Sequence, residues 1–456
     1  MKAETVIAAN RFGLGARPGD LDAIDNAPED WLVRQVAGDY DLPGPIRALP
    51  SSASVLVDVQ AIRRRGRDGD PVEKIGRVLR RHFVDQVEAR YATAASTDEP
   101  FRERLVHFFS NHFAVSADKP PLPALAGLYE NEAIRPHVTG RFADLLLAVE
   151  QHPAMILYLD NQRSIGPAST LGRRANRRGR ERSIGLNENL AREILELHTL
   201  GVDGGYSQRD VQSLARVITG WSVGGGDDRG RFSEGTPGEF AFREAIHEPG
   251  TKTMLGQSYA DNGVGQGEAV LRDLAMHPAT ARHVSTKLTR HFVADDPPAE
   301  IVDRLTDTWL KSDGDLARVC TALVESALDW RPRAPKYKSP HDVFVSTTRA
   351  LEAPPGDGRR VVAVLETLGQ VPWRPGSPAG WPDSSAQWGG ADALYKRIEF
   401  ADTVANLTNG RVDPVELGRA VLGPAMSHDT ELAVARAESR SQGMTLLLAS
   451  PDFQRR

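Results

Sequence analysis

Apolar residues recur at three- and four-residue spacing through much of the chain, which is the period of an amphipathic helix. This pattern predicts an all-α fold, a large irregular multi-helix domain. Two local signals support it: Ser207 followed by Asp210 predicts a capping box, and Gly201 stands where a glycine ends a helix. The predicted helices are Glu73–Ala95, Phe101–Phe113, Asn187–Leu200, Arg209–Trp221, Ala279–Val293, Asp315–Leu328, Asp342–Leu351, Arg359–Leu368 and Ala391–Leu407.

Alternating patterns typical of strands are scarce. The only stretch that predicts a β-hairpin is Arg231–Phe242, around Gly235, Pro237 and Gly238. All other residues are expected in helices or loops. Loops longer than about 12–15 residues are usually functional or disordered, and three stretches have that length: Asn161–Gly185, Gly224–Gly238 and Pro372–Gly390.

The long loops lie between predicted helices and not at the edge of a folding unit. For this reason the sequence predicts a single large helical domain over residues 1–456, with a softer subdomain boundary near 352–358. There Pro354 and Pro355 interrupt the helical pattern. No internal repeat is visible.

Composition excludes several classes of protein. With 40% hydrophobic and 26% charged residues the chain is globular, and a net charge of -5 gives no general attraction to nucleic acid or to a membrane surface. No stretch has the ~20 apolar residues of a membrane span. The patch Val6–Ala9 is too short for a secretory signal, so we expect a cytoplasmic protein, with association to the cell envelope left open. Cys320 is the only cysteine and lies on an apolar helical pattern, which indicates a core residue.

The segment Asn187–Gly201 carries the densest polar pattern. On a helix, Glu188 and Arg192 lie one turn apart and can pair, whereas Glu193 and Glu196 share a face with Asn189. Two carboxylates at this spacing can chelate a hard cation or act as acid and base. The alternative is a charged face exposed to solvent.

The motif Asn187-Glu188-Asn189-x-Ala191-Arg192-Glu193-x-x-Glu196-Leu197 is followed by Thr199–Gln208 and by Leu214–Trp221. Together these segments resemble the signature of the bacterial family catalogued as domain of unknown function 1800. The likeness covers nearly the whole chain, since further matching pieces occur in order. These are Glu103-Arg104, Asn111-His112-Phe113, Pro153-Ala154-Met155, Leu159-Asp160-Asn161, His247, Lys252-Thr253, Leu255-Gly256, His277–Arg282, Lys287-Leu288, Lys338-Ser339-Pro340, Gly380-Trp381-Pro382 and Trp388.

The resemblance implies a mainly helical fold but no activity. Relatives are often encoded beside an exported protein that resembles sulfatases or alkaline phosphatases, so a companion protein of that kind is the expected partner. This sequence departs from the family pattern at His198, where an aromatic residue is usual, which argues against a required ligand there. An export signal such as many relatives carry is not expected at Met1–Gly13 either.

These patterns together select the candidate site residues. We expect a catalytic role for Glu188, Glu193, His112 and His247, and a binding role for Asp160, Asn161, Asn187, Arg192, Glu196, Lys287 and Trp381. The alternatives are a hydrogen-bonded core histidine at His112 and a structural polar network on the motif helix. Hydrolysis is the reaction class to test first.

Two loops suggest a ligand class. The arginines Arg173, Arg174, Arg177, Arg178, Arg180 and Arg182 precede the motif helix and could attract an anionic ligand. Tryptophans 373, 381 and 388 could stack on a carbohydrate or anchor their loop to the core. Nucleic acid is not expected, because the arginine loop has no aromatic residue to stack on bases.

Two functions stay open. The first is a hydrolase-type enzyme whose site includes the polar helix, and the second is a non-catalytic binding or assembly partner of the sulfatase-like companion. A cavity joining His112, Glu188 and His247 would favour the enzyme, whereas a flat apolar patch near the tryptophan loop would favour the partner. A metal is not identified; a divalent cation would need Asp160 or His247 beside Glu193 and Glu196.

Overall fold

The computed structural model describes residues 2–38, 40–67, 74–177, 185–225, 234–328 and 336–456. Helices dominate these residues, and the all-α prediction is confirmed. In the first half of the chain they are α1 (Ala3–Ile7), α2 (Asp20–Ile24), α3 (Pro28–Ala37), α4 (Gly44–Arg47), α5 (Ser52–Arg67), α6 (Ile75–Ser96), α7 (Pro100–His112), α8 (Ala126–Tyr129), α9 (Phe142–Gln151), α10 (Pro153–Tyr158), α11 (Thr170–Arg177), α12 (Asn189–Glu193) and α13 (Gln208–Val217).

The second half continues in the same way. Its helices are α14 (Val264–Met276), α15 (Pro278–Phe292), α16 (Ala299–Lys311), α17 (Leu316–Ala327), α18 (Pro340–Ala350), α19 (Gly358–Leu368), α20 (Ser385–Trp388), α21 (Ala391–Thr408), α22 (Pro414–Leu422), α23 (His428–Ala435) and α24 (Arg440–Ala449). Single π-helical turns occur at Ala8–Phe12, Glu130–Ile134 and Ile194–His198.

Most predicted helix boundaries agree with the structure to within one or two residues. The capping box of α13 has both of its hydrogen bonds, between Ser207 and Asp210. The motif helix differs from the prediction: its α-helical part is α12, which passes into the π-helical turn Ile194–His198, and Gly201 follows with a positive φ of 88°.

Two small antiparallel hairpins are the only sheets in the described part of the chain. The first pairs β1 (Trp221–Val223) with β2 (Phe240–Phe242), and the second pairs β3 (Lys252–Met254) with β4 (Gln257–Tyr259). The hairpin predicted at Arg231–Phe242 therefore includes one true strand, but the partner of that strand is Trp221–Val223. Residues 226–233 of this region lie outside the described residues.

The β3–β4 hairpin was not predicted, and its turn explains why. Leu255 and Gly256 form the turn with φ values of 49° and 80°. Two positive φ values in succession are typical of a type I′ turn, for which asparagine or aspartate before glycine is the usual sequence. Leucine in the first position hides this signal, and three-residue strands are too short to show a period.

Among the helices of ten or more residues in the described part of the chain, α7 is the most completely enclosed. Every one of its residues except Asn111 is buried, and its Phe101 ring meets the rings of Phe12 and Phe292, each at 5.5 Å between centroids. Buried apolar side chains from the N-terminal to the C-terminal region join this cluster into one connected core. Helix α19, beyond the segment 352–358, packs on α6 before it. The single-domain assignment itself stays a prediction.

Two further sequence expectations concern Cys320 and membranes. Cys320 is fully buried in α17, where burial raises the pKa of its thiol to about 12, as expected for a core residue. Among the helices of the described residues, none has both the length and the apolar character that crossing a membrane needs.

A buried ion pair fastens α7 to the chain that follows α8. Both side-chain carboxylate oxygens of Glu103 accept hydrogen bonds from Arg135, one of them at 2.8 Å, and both residues are almost fully buried. Removing one partner of such a pair leaves an uncompensated charge in the interior, which costs about 3–5 kcal/mol.

We predict that Arg135→Met lowers the free energy of unfolding by about 3–5 kcal/mol, measured by urea denaturation. The matched control is Arg282→Met, because Arg282 also pairs with a carboxylate, Asp303, but both side chains are more than half exposed. An exposed pair contributes at most about 1 kcal/mol. Similar losses in the two variants would contradict this account of α7.

Candidate functional site

The polar side chains of α7 reach different parts of the fold. Arg104 donates a hydrogen bond to Oδ1 of Asp342 in α18 at 2.9 Å. At the other end of the helix, Nε2 of His112 donates to the backbone carbonyl of His198 at 3.1 Å. Buried polar groups must be paired in this way, so α7 fixes the positions of its neighbours through directed contacts as well as through packing.

A cavity of about 400 Å³ lies along α7. Its other walls come from α6, α15, α18 and the tryptophan loop, which we define as residues 372–390. Basic side chains outnumber carboxylates among the described residues that line it, so the cavity favours an anionic ligand. The basic residues are Arg90, Arg104, Lys287, Arg290, Lys336 and Arg456, and the acidic ones are Asp342 and Asp383.

His291 and Asp383 form a hydrogen-bonded pair in the cavity wall. Nδ1 of His291 lies 2.8 Å from Oδ2 of Asp383, whereas Nε2 is buried and has no hydrogen-bond partner within the described ranges. Burial lowers the pKa of His291 to about 4, although Asp383 opposes this shift. At pH 7 the ring is therefore neutral, with its proton on Nδ1 facing the carboxylate and a lone pair on Nε2. Such a nitrogen can accept a proton from a ligand or a water.

Asp383 is held as a carboxylate. Burial alone would raise its pKa, but His291, Lys336 and Arg456 outweigh burial and keep the pKa of Asp383 well below its usual range. Nζ of Lys336 lies 3.3 Å from Oδ1 of Asp383 and also contacts Asp295 at 3.0 Å. The orientation of the His291 ring is thus fixed by a permanently charged partner.

Two cationic groups beside this pair have unused hydrogen-bond donors. Lys287, one turn before His291 on α15, makes no hydrogen bond or ion pair with any described residue, and burial lowers its pKa to about 8. Nη1 of Arg456 is buried and has no hydrogen-bond partner in the same part of the chain, while Nε of this residue lies 3.4 Å from Oδ2 of Asp342. An unpaired buried donor such as Nη1 of Arg456 is costly, and an anion in the cavity would pair with it and with the half-buried Lys287 ammonium.

The tryptophan loop forms the rim of the cavity. The side chain of Asn111 binds the backbone of Trp381 twice, accepting from its N–H at 2.7 Å and donating to its carbonyl at 2.9 Å. Gly380 has a φ of 81°, and a Cβ atom there would overlap the backbone carbonyl of Asn111. Only glycine allows the loop to come this close to α7.

The three tryptophans of the loop divide between the two predicted roles. Trp373 is an anchor: it is buried, and its indole N–H donates to Oε2 of Glu130 at 3.1 Å. Trp381 and Trp388 remain partly exposed in the cavity wall, with ring centroids 6.1 Å apart. Their faces are therefore available to a ligand at the rim.

Of the residues selected from the sequence, the structure brings His112, Lys287 and Trp381 together in the cavity wall. Burial, Lys287 and His283 lower the pKa of His112 well below its usual range, so this side chain is neutral. Its Nδ1 has no hydrogen-bond partner among described residues. The remaining selected residues do not line the cavity: Glu188, Glu193, His247, Asp160, Asn161, Asn187, Arg192 and Glu196.

The charged face of the motif helix lies near the surface. Glu188 accepts hydrogen bonds from Gln208 at 2.7 Å and from Arg192 at 3.4 Å, so the predicted Glu–Arg pair is confirmed. Glu193 and Glu196 are half-buried; burial and Glu196 raise the pKa of Glu193. The helix does not line the cavity itself. Its connection to the cavity is the backbone carbonyl of His198, which accepts a hydrogen bond from His112 in the cavity wall.

The other selected residues take part in local hydrogen bonds. Nδ1 of His247 donates to the carbonyl of Thr219 at 2.7 Å, and Asn161 donates to two backbone carbonyls, both at 3.1 Å. Asn187 donates to the carbonyl of Leu159 at 2.9 Å. Asp160 pairs with Lys119 at 2.7 Å. These contacts tie the loop after α10 to β1 and to the motif helix.

Two further expectations were a divalent cation near Glu193 and Glu196 and an anion-attracting arginine loop before the motif helix. No group of three or more His, Cys, Asp and Glu side chains in the described ranges is arranged to hold a metal ion, so the Glu193/Glu196 pair lacks a third donor of these types there. Arg173, Arg174 and Arg177 are exposed on α11. Arg178, Arg180 and Arg182 lie outside the described residues.

Sequence reasoning missed His291 and Asp383. One signal was present, since Lys287 and His291 stand four residues apart on a predicted helix and therefore on one face. Asp383 lies between Trp381 and Trp388, in a loop already selected for its tryptophans. The contact between the two residues spans 92 positions, and no local pattern reveals it.

Comparisons with known proteins place the chain in a family without assigning an activity. The family model described as "Protein of unknown function (DUF1800)" matches residues 7–455, nearly the whole length. The comparison with curated proteins found no match, and neither did the comparison with solved structures. The chain therefore belongs to the family DUF1800.

Proposed function

We propose that the cavity binds a small anionic substrate and that the protein is a hydrolase-type enzyme with His291 as its general base. The observation that carries the proposal is the buried Nε2 of His291, which has no hydrogen-bond partner in the described part of the chain while Nδ1 is held by Asp383. A histidine oriented by a carboxylate, with its other nitrogen free, is the usual geometry of a general base.

The proposed reaction uses water as the nucleophile. Nε2 of His291 takes a proton from the water while the water oxygen attacks the ester group of the substrate. The resulting imidazolium of His291 is stabilised by Asp383. Lys287 and Arg456 hold the anionic group and stabilise the negative charge that develops on it. The same imidazolium can then return the proton to the leaving group.

The polar helix has a different place in this proposal. Its residue His198 positions His112 in the cavity wall and is itself bound to Glu150, with 2.7 Å between Nδ1 and Oε1. A direct acid/base role for Glu188 or Glu193 stays a prediction, and it would require a second site on the outer face of the helix.

The first test uses sulfate, whose charge does not change between pH 6 and 9. Titration calorimetry should show binding that weakens as the pH rises through about 8, because Lys287 then loses its proton. Asp383 raises and Arg290 lowers the pKa of this amine, and the neighbouring His112 and His283 are already neutral at pH 6 because burial and Lys287 lower their pKa values.

We predict that Lys287→Gln weakens sulfate binding at pH 7 by about tenfold or more, the contribution of one charge-assisted hydrogen bond. Its affinity should also vary little around pH 8. Lys311→Gln is the matched control, since Lys311 is an exposed lysine on the neighbouring helix α16. Wild-type protein that does not bind sulfate, or binds it equally well after the Lys287 substitution, would contradict the anion site.

The second test addresses catalysis. Wild-type protein is assayed with three esters: p-nitrophenyl phosphate, p-nitrophenyl sulfate and p-nitrophenyl acetate. For whichever ester the wild-type protein cleaves, we predict that His291→Gln lowers kcat by about 10²- to 10⁴-fold. Sulfate affinity should change only a few-fold, because His291 is neutral. His152→Gln is the control: His152 contacts Glu132 at 3.0 Å but lies outside the cavity.

Sulfate binding without turnover of any ester would contradict the hydrolase assignment and leave an anion-binding protein, whereas turnover that survives in His291→Gln would contradict the role of His291 as the general base. The outcome of the calorimetry and the outcome of the assay therefore judge the two parts of the proposal separately.

A second candidate function is assembly with the sulfatase-like companion protein. It is favoured by an apolar face on α21, directly after the tryptophan loop, where Leu394, Tyr395 and Ile398 are 38%, 62% and 50% exposed. We predict that the two proteins co-elute in size-exclusion chromatography and that Ile398→Lys separates them, while Lys396→Glu on the same helix does not. Separate elution of the wild-type proteins would remove this candidate.

A further inference from the structure

A chain of buried and half-buried side chains runs from the cavity wall into the core beside α7. The hydroxyl of Tyr91 lies 2.8 Å from Nδ1 of His341, and Nε2 of His341 lies 3.0 Å from Nδ1 of His107. Nε2 of His107 in turn lies 3.2 Å from Oε1 of Glu103, which is an electrostatic contact without the alignment of a hydrogen bond, and Glu103 is paired with Arg135. Tyr91, His341 and His107 all line the cavity.

The carboxylate at the inner end determines where each proton sits. Burial lowers the pKa of both histidines, so each ring is neutral and carries one N–H. A bare nitrogen facing Glu103 at 3.2 Å would be repelled, and the proton of His107 is therefore on Nε2. Its Nδ1 must then accept a hydrogen bond from Nε2–H of His341. Nδ1 of His341 is left without a proton and accepts the hydroxyl hydrogen of Tyr91.

With the protons placed in this way, the Tyr91 hydroxyl donates its hydrogen to His341. Its oxygen can therefore only accept a hydrogen bond from a ligand in the cavity. Burial raises the pKa of Tyr91, so the hydroxyl keeps its proton, and the contact with Nδ1 of His341 sets the direction of that proton. The two carboxylates in the wall are already occupied: Asp342 accepts from Arg104, and Asp383 from His291. The basic residues of the wall only donate. Tyr91 is thus an acceptor with no second donor among the described residues.

We propose that the substrate is an anion that also carries a hydroxyl group, and that this hydroxyl donates a hydrogen bond to the Tyr91 oxygen. The inference rests on the proposed anion site and adds a second recognition point to it. An anion without a hydrogen-bond donor would leave the lone pairs of the Tyr91 oxygen without a partner in the cavity wall, which lowers the affinity of that anion.

The test compares two probes that differ in their hydroxyl groups, glycerol 3-phosphate and propyl phosphate. Calorimetry with wild-type protein should give an affinity about 3- to 10-fold higher for glycerol 3-phosphate, the contribution of one neutral hydrogen bond. Tyr91→Phe should remove this difference by weakening glycerol 3-phosphate alone. Tyr129→Phe is the matched control, because Tyr129 is equally buried and donates to the carbonyl of Phe113 at 2.9 Å but does not line the cavity.

The possible outcomes separate this inference from the proposed function. Equal affinity of wild-type protein for the two probes overturns the hydroxyl requirement while the anion site stands, and failure to bind either probe overturns both. Nitrogen-15 NMR of wild-type protein gives a second measurement that does not depend on a variant folding. It should show His341 and His107 protonated at Nε2, and a proton at Nδ1 of His341 would overturn the inference.

Discussion

The requirement that buried charge be compensated organises this protein around α7. A helix enclosed on nearly every side cannot expose Glu103, Arg104 or His112 to water, and each of these side chains must find a partner on another element. The partners come from the segment after α8, from α18 and from the end of the motif helix. Packing alone would tolerate many relative positions of these elements, but directed contacts to a single helix select one.

This compensation is incomplete at several of the groups that line the cavity. Lys287, Nε2 of His291 and Nη1 of Arg456 all lack a partner within the described residues, and they lie on one wall. An unpaired buried donor or acceptor costs about 1–3 kcal/mol, so a fold that keeps several of them together sacrifices stability. Unsatisfied groups of this kind are typical of binding and catalytic sites, where the ligand supplies the missing partner.

Much of the helical fold could be predicted from the sequence, because the period of apolar residues reports directly on local structure. The bounds of α7, α15 and α21 follow from it closely. The β3–β4 hairpin could not be predicted, since its turn has leucine where the turn type favours asparagine. The motif helix was predicted as continuous, yet its second half is a π-helical turn, which has no distinct sequence pattern.

The candidate site was less predictable for a physical reason. His112, Lys287 and Trp381 were selected through the family resemblance, and the structure brings them together. His291 was not selected, because what distinguishes it is a contact with Asp383, which lies 92 positions further along the chain. The charged residues that the sequence emphasises most, on the motif helix, are paired near the surface. Local density of charge indicates solvation more often than it indicates a site.

The central claim is that Lys287, His291 and Arg456 form one anion site. The most direct measurement is anomalous diffraction from crystals soaked in selenate, which has the shape and charge of sulfate. The account predicts a selenium peak inside the cavity, within hydrogen-bond distance of Nζ of Lys287 and of the unpaired nitrogen of Arg456. Selenate found only at exposed arginines on the surface, with the cavity unoccupied, would contradict it.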